Sequence, residues 1–375
     1  MHAYQQHQPI SQPIHPPICQ PAGQPIYQPV TGRPIRLALA GCGRIAESHI
    51  NAIRQHAASC ELVGVCDPNV QSAEQVAAAT GAGLYRDLSD MLSRCVADAV
   101  VLATPSGLHA RQAVEAAEAG WHVITEKPMA TRWEEGKRMV AACENAGVRL
   151  FVVKQNRRSP TVRLLRRAIQ KGRFGRIYSV SLNVFWTRPQ SYYNSSRWRG
   201  TWELDGGAFM NQASHYVDLL DWLVGPVESL QAYTATLGRD IEAEDTGVVA
   251  LRLRNGGLGT MNVTMLTWPQ NLEGSITILG ETGTARLGGV AANQIQYWQF
   301  ADEDEDDRTV VEVSQQANPA NRIGHQLYYE NVINVLRGEA EPDTDGREGL
   351  KSLEVLAAIY RSAQCGQRVT LPLAD

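Results

Sequence analysis

The spacing of apolar residues changes along this chain. From residue 35 to residue 153, short runs of consecutive apolar residues alternate with segments in which apolar residues recur every three or four positions. The runs predict buried strands and the longer segments predict helices. Strands alternating with helices at this spacing are typical of a parallel, doubly wound α/β sheet. The predicted strands of this part are 35–40, 61–66, 99–103, 121–125 and 149–153.

The pattern differs beyond residue 153. A helix over 160–171 is followed mainly by strands, with turn signals at Asn255-Gly256-Gly257 and Glu281-Thr282-Gly283 that predict hairpins. We therefore predict an α+β domain with an open, mostly antiparallel sheet, closed by a helix over 349–364. The predicted strands are 177–186, 227–236, 246–253, 257–267, 274–279 and 283–287.

Composition narrows the class of protein. Hydrophobic residues make up 43% of the 375 residues, and the formal net charge of −4 gives no reason to expect nucleic acid or an anionic membrane as a partner. The seven cysteines are scattered and form no CxxC pair. This usage favours a reduced, cytoplasmic protein without disulfides or a metal site. No apolar run is long enough to cross a bilayer, so we expect a soluble chain.

A dinucleotide fingerprint follows the first strand. The sequence Gly41-Cys42-Gly43-Arg44-Ile45-Ala46 has the GxGxxA form and stands between a strand and a helix, as the motif requires. Gly41 permits a tight turn, and Gly43 allows backbone amides to approach a pyrophosphate at the start of the helix.

An acidic residue ends the second strand. Asp67 could accept both hydroxyls of an adenosine ribose and would repel a 2′-phosphate, which favours NAD over NADP. The alternative is that Asp67 only caps the next helix. With a nicotinamide cofactor expected, the predicted domains are a disordered Pro/Gln-rich tail over 1–33, an NAD-binding domain over 34–153, and a substrate-binding and oligomerisation domain over 154–375. We expect the tail to be inert or an over-extension of the reading frame, and recruitment of a partner is the alternative.

Further candidates lie where later strands end, because ligands collect at the carboxyl edge of such a sheet. Thr104, Pro105, Ser106 and His109 follow one strand, and Glu126 and Lys127 follow the next.

A second group lies on a predicted helix containing Asn211, His215 and Asp218. There Asn211 and His215 would share a face, and Asp218 would orient the imidazole. Lys127 and His215 together could manage the proton of an alcohol whose hydride leaves.

Combined, these motifs resemble the glucose-fructose oxidoreductase/inositol dehydrogenase (Gfo/Idh/MocA) family over residues 34–375. The resemblance implies a bound nicotinamide cofactor, a sugar or cyclitol substrate, and oligomers formed through the open sheet. It also implies that Lys127 polarises the reacting hydroxyl and that His215 accepts its proton. Many members have Asp at the position of Asn211, so Asn211 is expected to position substrate. The motifs are Gly41-x-Gly43-x-x-Ala46, Asp67-Pro68, Thr104-Pro105, Glu126-Lys127-Pro128, Trp198-Arg199, Gly206-Gly207 and Asn211-x-x-x-His215.

More narrowly, residues 185–193, 198–207 and 211–222 resemble dehydrogenases that oxidise the 3″-hydroxyl of UDP-N-acetylglucosaminuronate for bacterial surface polysaccharides such as lipopolysaccharide O-antigen. Such enzymes suggest a homotetramer and, as a further possibility, recycling of the cofactor by 2-oxoglutarate. A dehydrogenase of a free sugar or inositol and a catalytically silent NAD-binding sensor remain alternatives.

The resemblance places Trp198 and Arg199 at the cofactor. Positively charged and amide side chains can donate hydrogen bonds to the diphosphate and the carboxylate of such a substrate. The expected substrate contacts are Lys127, Gln155, Asn156, Arg157, Arg197, Asn211 and His215, with Arg158, Arg188, Arg199, Tyr192, Tyr193 and Trp198 as further candidates.

Overall fold

The protein is described here by a computed structural model that covers residues 27–316 and 323–374. Residues 1–26 of the predicted tail over 1–33 lie outside these residues. No helix within the described ranges is long and apolar enough to cross a membrane.

The first sheet is fully parallel, as predicted. Its six strands stand in the order β3-β2-β1-β4-β5-β6, with β1 at the centre, where buried aliphatic side chains on both faces suit a doubly wound sheet. The strands are β1 (Ile35–Ala40), β2 (Cys60–Cys66), β3 (Gly83–Tyr85), β4 (Ala99–Leu102), β5 (His122–Thr125) and β6 (Leu150–Val152).

Short polar caps start the helices between these strands. The Asn69 side chain accepts a hydrogen bond from the Ser72 amide, and Asp87 accepts one from the Asp90 amide, so each satisfies a free N–H of the helix that follows. The helices are α1 (Ala46–Gln55), α2 (Val70–Thr80), α3 (Leu88–Arg94), α4 (His109–Glu118) and α5 (Trp133–Asn145), with a 3₁₀ turn at Ser106–Leu108 before α4.

The second sheet has eight strands and is antiparallel except where β10 runs beside β7. Its order is β13-β12-β11-β7-β10-β9-β8-β14. The β9–β10 and β11–β12 pairs are the two predicted hairpins, whereas β13 was not predicted. The strands are β7 (Ile177–Phe185), β8 (Val227–Ala235), β9 (Thr246–Leu253), β10 (Leu258–Thr264), β11 (Glu273–Gly280), β12 (Gly283–Gly288), β13 (Gln294–Phe300) and β14 (Val369–Thr370).

One face of this sheet is covered by helices, and the predicted fold class is confirmed. Residues 177–185 alternate between buried and less buried positions, as expected for a strand with one covered face. The helices of this part are α6 (Pro160–Gln170), α7 (Gln190–Asn194), α8 (Ser214–Val224), α9 (Val310–Gln316), α10 (Ile323–Leu336) and α11 (Gly346–Cys365), with a π-helical turn at Ala208–Gln212 and 3₁₀ turns at Gln155–Arg158 and Glu305–Thr309.

Helix α10 was not predicted, and it returns to the first sheet. Tyr329, Val332 and Leu336 are buried in one cluster with Ile35 and Leu37 of β1. Because α10 is apolar on several sides, it lacks the single apolar stripe by which a surface helix is recognised.

The segment before β1 is also packed, which corrects the predicted start of the fold at residue 34. Val30 is buried, and its amide donates to the carbonyl of Leu336 at the end of α10 over 2.9 Å. Arg33 forms a bidentate ion pair with Asp98. Residues 27–33 therefore belong to the folded part of the chain.

Candidate active site

A cavity of about 760 Å³ opens at the carboxyl edge of the parallel sheet. Such a volume is in the usual range for a site that binds a cofactor and a small substrate. It is bordered by the ends of β1, β2, β4 and β5 and by a loop of the second domain. All the residues predicted to bind the cofactor line it: Gly41, Gly43, Arg44, Ile45, Asp67, Thr104, Pro105, Ser106, His109, Glu126, Lys127, Trp198 and Arg199.

The fingerprint turn has the shape that a dinucleotide requires. Gly41 has φ +96°, and a Cβ there would lie 2.6 Å from the carbonyl oxygen of Ala103, so only glycine fits. A Cβ on Gly43 would meet nothing within 4 Å, which leaves room above the start of α1. The turn residues therefore fit a pyrophosphate group.

Asp67 is held by backbone amides at the end of β2. Its two carboxylate oxygens accept from the amides of Cys42 and Asn69, each over 2.7 Å. The cap of α2 is Asn69, so capping does not account for Asp67. The carboxylate faces the cavity at the position expected for contact with a ribose.

A loop of the second domain covers the cavity. The amide of Gly107 donates to the carbonyl of Leu204 over 3.0 Å, and a Cβ on Gly107 would lie 2.0 Å from the Glu203 carbonyl oxygen. The guanidinium of Arg199 lies 4.2 Å from the ring centroid of Tyr192 and 4.8 Å from that of Trp198. The Nε of Arg199 is buried without a partner among the described residues, so it is available to a ligand.

Lys127 enters the cavity at the end of β5. Its Nζ donates to the backbone carbonyl of Asn211 over 3.0 Å, which joins the two domains at this point. Burial lowers the pKa of the Lys127 ammonium, while the negative charges of Glu126 and Asp205 oppose that shift. Arg188 and Lys154 lower the pKa further. The Lys127 ammonium therefore loses its proton at a lower pH than an exposed lysine does.

His215 does not itself line the large cavity and is 9% exposed. Its Nε2 is 3.3 Å from the side-chain nitrogen of Gln155, which itself lines the cavity. Burial, with a contribution from the Lys127 charge, holds the pKa of His215 well below 6.5. The imidazole is therefore neutral near pH 7 and can accept a proton. The Oε1 of Gln155 is buried without a partner among the described residues and can accept a hydrogen bond from a ligand.

Two expectations about the neighbours of His215 are wrong. Asn211 lies on the π-helical turn and α8 begins only at Ser214, so Asn211 and His215 do not share one α-helical face. Asp218 does not orient the imidazole, because its carboxylate accepts from Arg157 over 2.6 and 2.7 Å and lies 3.2 Å from the Lys154 ammonium.

Not every predicted substrate residue lines the large cavity. Arg157 also pairs with Glu348 and, with Arg158, lines a separate cavity of about 280 Å³. Arg197 borders a groove on the outer side of the covering loop, together with Tyr193. Asn156 is part-buried next to Gln155 and lines neither of the two cavities.

Arg188 was among the wider candidates and is positioned close to the site. Its guanidinium donates twice to the side-chain oxygen of Gln212, over 2.7 and 3.1 Å, and it stacks over the ring of Tyr192. No carboxylate lies within ion-pair distance of Arg44, Arg188 or Arg199 among the described residues, so positive charge remains available near the cavity.

Beneath Lys127 lies a buried polar cluster that sequence reasoning missed. Oε1 of Glu126 is 3.2 Å from His49 Nε2 and 3.1 Å from His325 Nε2, and Oε2 accepts from the Lys127 amide. Burial acts to raise the pKa of Glu126, but the bonds from His325 and His49 hold it well below its ordinary value. His325 belongs to the unpredicted α10, so no local signal could have revealed this cluster.

His109 has a positioning role. Its ring nitrogens lie 2.9 Å from the carbonyl oxygen of Pro128 and 3.0 Å from that of Thr104. It thus links the ends of β4 and β5. The Thr104 hydroxyl in turn donates to Gln112 of α4, a cavity residue that was also missed although it lies on the helix that begins at His109.

Comparisons with known proteins agree with this geometry. The model for the oxidoreductase family NAD-binding Rossmann fold matches residues 35–154, and that for the oxidoreductase family C-terminal alpha/beta domain matches residues 166–371. Among curated proteins, D-apiose dehydrogenase from Paraburkholderia graminis is 29% identical over 89% of either chain.

Two solved structures are much more similar. The WlbA dehydrogenase from Bordetella pertussis, solved with NADH and UDP-GlcNAcA, is 65% identical, covers 92% of this chain and all of that one, and has a TM-score of 0.91. The corresponding enzyme from Chromobacterium violaceum is 60% identical over 93% of this chain and 99% of that one, with a TM-score of 0.90. The expected cofactor is confirmed as NAD. With both domains matched, the chain belongs to the Gfo/Idh/MocA family of NAD-dependent oxidoreductases.

Proposed function

We propose that this protein oxidises the 3″-hydroxyl of UDP-N-acetylglucosaminuronate to a ketone with NAD. The observation that carries the proposal is the 65% identity, over 92% of the chain, to a dehydrogenase crystallised with NADH and UDP-GlcNAcA. We further propose that the product enters the biosynthesis of a bacterial surface polysaccharide, such as lipopolysaccharide O-antigen, in the cytoplasm.

The proton of the substrate hydroxyl passes to His215 in this proposal. A neutral imidazole suits that role, because the low pKa of His215 keeps it unprotonated at neutral pH. The Lys127 ammonium donates a hydrogen bond to the same hydroxyl oxygen and stabilises the negative charge that develops there. Bound NAD supplies the acceptor for the hydride. Gln155 and Asn211, which line the same part of the cavity, position the sugar ring.

The charge distribution supports an anionic substrate. A UDP-linked uronate carries a diphosphate and a carboxylate. Arg199, which lines the cavity, and Arg188, which stacks on the same Tyr192 ring, have no carboxylate partner among the described residues. Arg157 is saturated by Asp218 and Glu348, so we assign it to the packing of α8 and α11 instead of to the substrate. Arg197 lies outside the large cavity, so it contacts substrate only where the nucleotide extends past the covering loop.

We propose that the cofactor is reoxidised in place, with 2-oxoglutarate as acceptor. The close contact between the covering loop and the 3₁₀ turn at Gly107 supports slow release of a bound dinucleotide. Recycling of the bound cofactor avoids that slow step. Because NADH would then not accumulate, a recycling enzyme needs the second substrate for repeated turnover.

The open face of the second sheet supports a homotetramer. Apolar side chains are exposed on its strands, including Tyr233 at 68%, Leu258 at 53% and Val248 at 46%. A sheet face with such side chains is suited to pairing with a second copy. Sedimentation velocity of wild-type protein and of a Val248→Lys variant tests this: the variant should dissociate, and an unchanged mass would place the interface elsewhere.

The main experiment follows NADH formation with UDP-N-acetylglucosaminuronate, with UDP-N-acetylglucosamine, glucose and myo-inositol in parallel. Without 2-oxoglutarate, the uronate alone should reduce the bound cofactor. This single turnover should be lost in Lys127→Met and His215→Gln and kept in Lys137→Met, whose residue lies on α5 and does not line the cavity. Activity on a free sugar or inositol would overturn the substrate assignment. If all substrates are silent, product is measured with added 2-oxoglutarate. Silence there, with NADH binding intact, would favour the sensor.

A further inference from the structure

Asp205 is a buried carboxylate close to the catalytic pair, and neither the sequence motifs nor the proposed mechanism gives it a role. It is 2% exposed and lies in the loop that covers the cavity. Such a group costs free energy to bury unless its surroundings compensate the charge.

The hydrogen bonds of Asp205 favour its ionised form. One carboxylate oxygen accepts from the Gly200 amide over 2.7 Å, and the other accepts from the side-chain amide of Asn211. Both partners are N–H donors, and each bond is stronger to a carboxylate than to a neutral carboxyl. Burial raises the pKa of Asp205, while these two bonds and the charges of Arg199 and Lys127 oppose the rise.

The backbone around Asp205 fixes its position. Gly206 has φ +74°, and a Cβ there would lie 2.5 Å from Cβ of Met210. A Cβ on Gly207 would overlap the carboxylate of Glu244. The loop therefore has little freedom to move the carboxylate away from Asn211.

Asn211 connects this carboxylate to the reacting centre. Its backbone carbonyl accepts from Lys127 Nζ over 3.0 Å, its side-chain nitrogen donates to Asp205, and the residue lines the cavity. The charged groups acting on Lys127 are Glu126, Asp205, Arg188 and Lys154, and Lys127 in turn acts on His109 and His215. Glu126 is already shared between two histidines, whereas Asp205 has no histidine partner in the part of the chain that the structure describes.

We propose that Asp205 is a positioning residue, which fixes the Asn211 amide at the cavity wall and whose negative charge keeps Lys127 protonated during the reaction. The inference rests on the proposed function for its effect on turnover, but its effect on Lys127 is independent of the substrate. Removing the charge in Asp205→Asn should let Lys127 lose its proton at lower pH, because a nearby negative charge favours the ammonium form.

A charge exchange tests the idea. In Asp205→Asn/Asn211→Asp the carboxylate moves to the other end of the same hydrogen bond, onto the residue whose backbone carbonyl accepts from Lys127. We expect Asp205→Asn to lower kcat more than it changes KM, and to move the alkaline limb of the kcat profile down by about one pH unit. The double variant should recover most of that shift. Asp245→Asn is the control, since Asp245 is fully buried and accepts from the amides of Leu237, Gly238 and Arg239.

A second readout does not depend on turnover. The chain contains only five lysines, so [ε-¹³C]lysine labelling gives a short set of resonances from which Lys127 is assigned by its loss in Lys127→Met. Its titration midpoint should fall in Asp205→Asn, return in the double variant, and stay at the wild-type value in Asp245→Asn. An unchanged midpoint and alkaline limb in folded Asp205→Asn would overturn the inference. If wild-type protein does not oxidise the uronate, the proposed function is refuted. The Lys127 titration would still decide the role of Asp205, because it does not depend on turnover.

Discussion

Glu126 offers the sharpest test of how the strand end that carries Lys127 is held. The Glu126→Gln substitution keeps the shape of the side chain but removes its charge. If the amide oxygen keeps the bonds from His49 and His325, the new NH₂ group faces the Lys127 amide, which is also a donor. One buried N–H then loses its acceptor, and two bonds to a carboxylate become bonds to a neutral amide.

The expected cost follows from those three contacts. A buried donor left unpaired costs about 1–3 kcal/mol, and a bond to a charged group is stronger than a neutral one by about 1 kcal/mol. After partial relaxation, we expect Glu126→Gln to lower the free energy of unfolding by about 2–4 kcal/mol at neutral pH. Glu74→Gln is the control, because Glu74 is exposed on α2; it should change the value by less than about 0.5 kcal/mol.

The contribution of Glu126 to the free energy of unfolding depends on pH. Since the pKa of Glu126 is lower in the folded protein than its ordinary value of 4.5, its contribution is complete above that pH and is lost as the pH falls through the folded value. The difference between wild type and Glu126→Gln should therefore be constant between about pH 6 and 8 and shrink under acid conditions. Urea denaturation at a series of pH values measures it. A difference that grows on acidification, or one below about 0.5 kcal/mol at pH 7, would refute the reasoning.

Three further predictions concern the cavity. Asp67→Asn should raise use of NADP relative to NAD by at least about tenfold, since it removes the charge that repels a 2′-phosphate; unchanged kcat/KM ratios for the two cofactors would contradict this. Lys127→Met should lower kcat by about 10²–10⁴-fold and, by removing a positive charge near His215, raise the pKa of that imidazole, so the acid limb of any residual activity moves to higher pH. Gly107→Ala should raise the Kd for NADH in fluorescence titration, because its Cβ would overlap the Glu203 carbonyl; a Kd equal to the wild-type value would contradict this.

Local patterns were sufficient for much of the first domain. The apolar run over 35–40, the glycines after it and the acid at the end of β2 together specify a strand, a tight turn and a cofactor contact, all within about thirty residues. Each of these features follows from the chemistry of neighbouring residues, such as the need for glycine where φ is positive. The predicted cofactor residues therefore line one cavity in the structure.

Contacts between distant segments were decided only by the tertiary structure. Asp218 is close to His215 in sequence, yet its carboxylate is bound by Arg157 and Lys154 of the segment between β6 and α6. Periodicity predicts which face of a helix a residue occupies, but it does not predict which residues of other elements contact that face. The same limit explains why Asn211 was placed on a regular helix, since nothing in its local sequence marked the π-helical turn.

What the sequence determined by itself was the identity of the chemical groups and the order of the elements: a dinucleotide turn, a lysine at a strand end, and a histidine in the second domain. The tertiary structure decided how these groups are paired. In the tertiary structure α10 packs against the first sheet, so His325 lies within hydrogen-bond distance of Glu126. The Asp205 carboxylate accepts a hydrogen bond from the Asn211 side chain. The reason is that hydrogen-bond partners and pKa values depend on burial and on charges brought together across long stretches of chain.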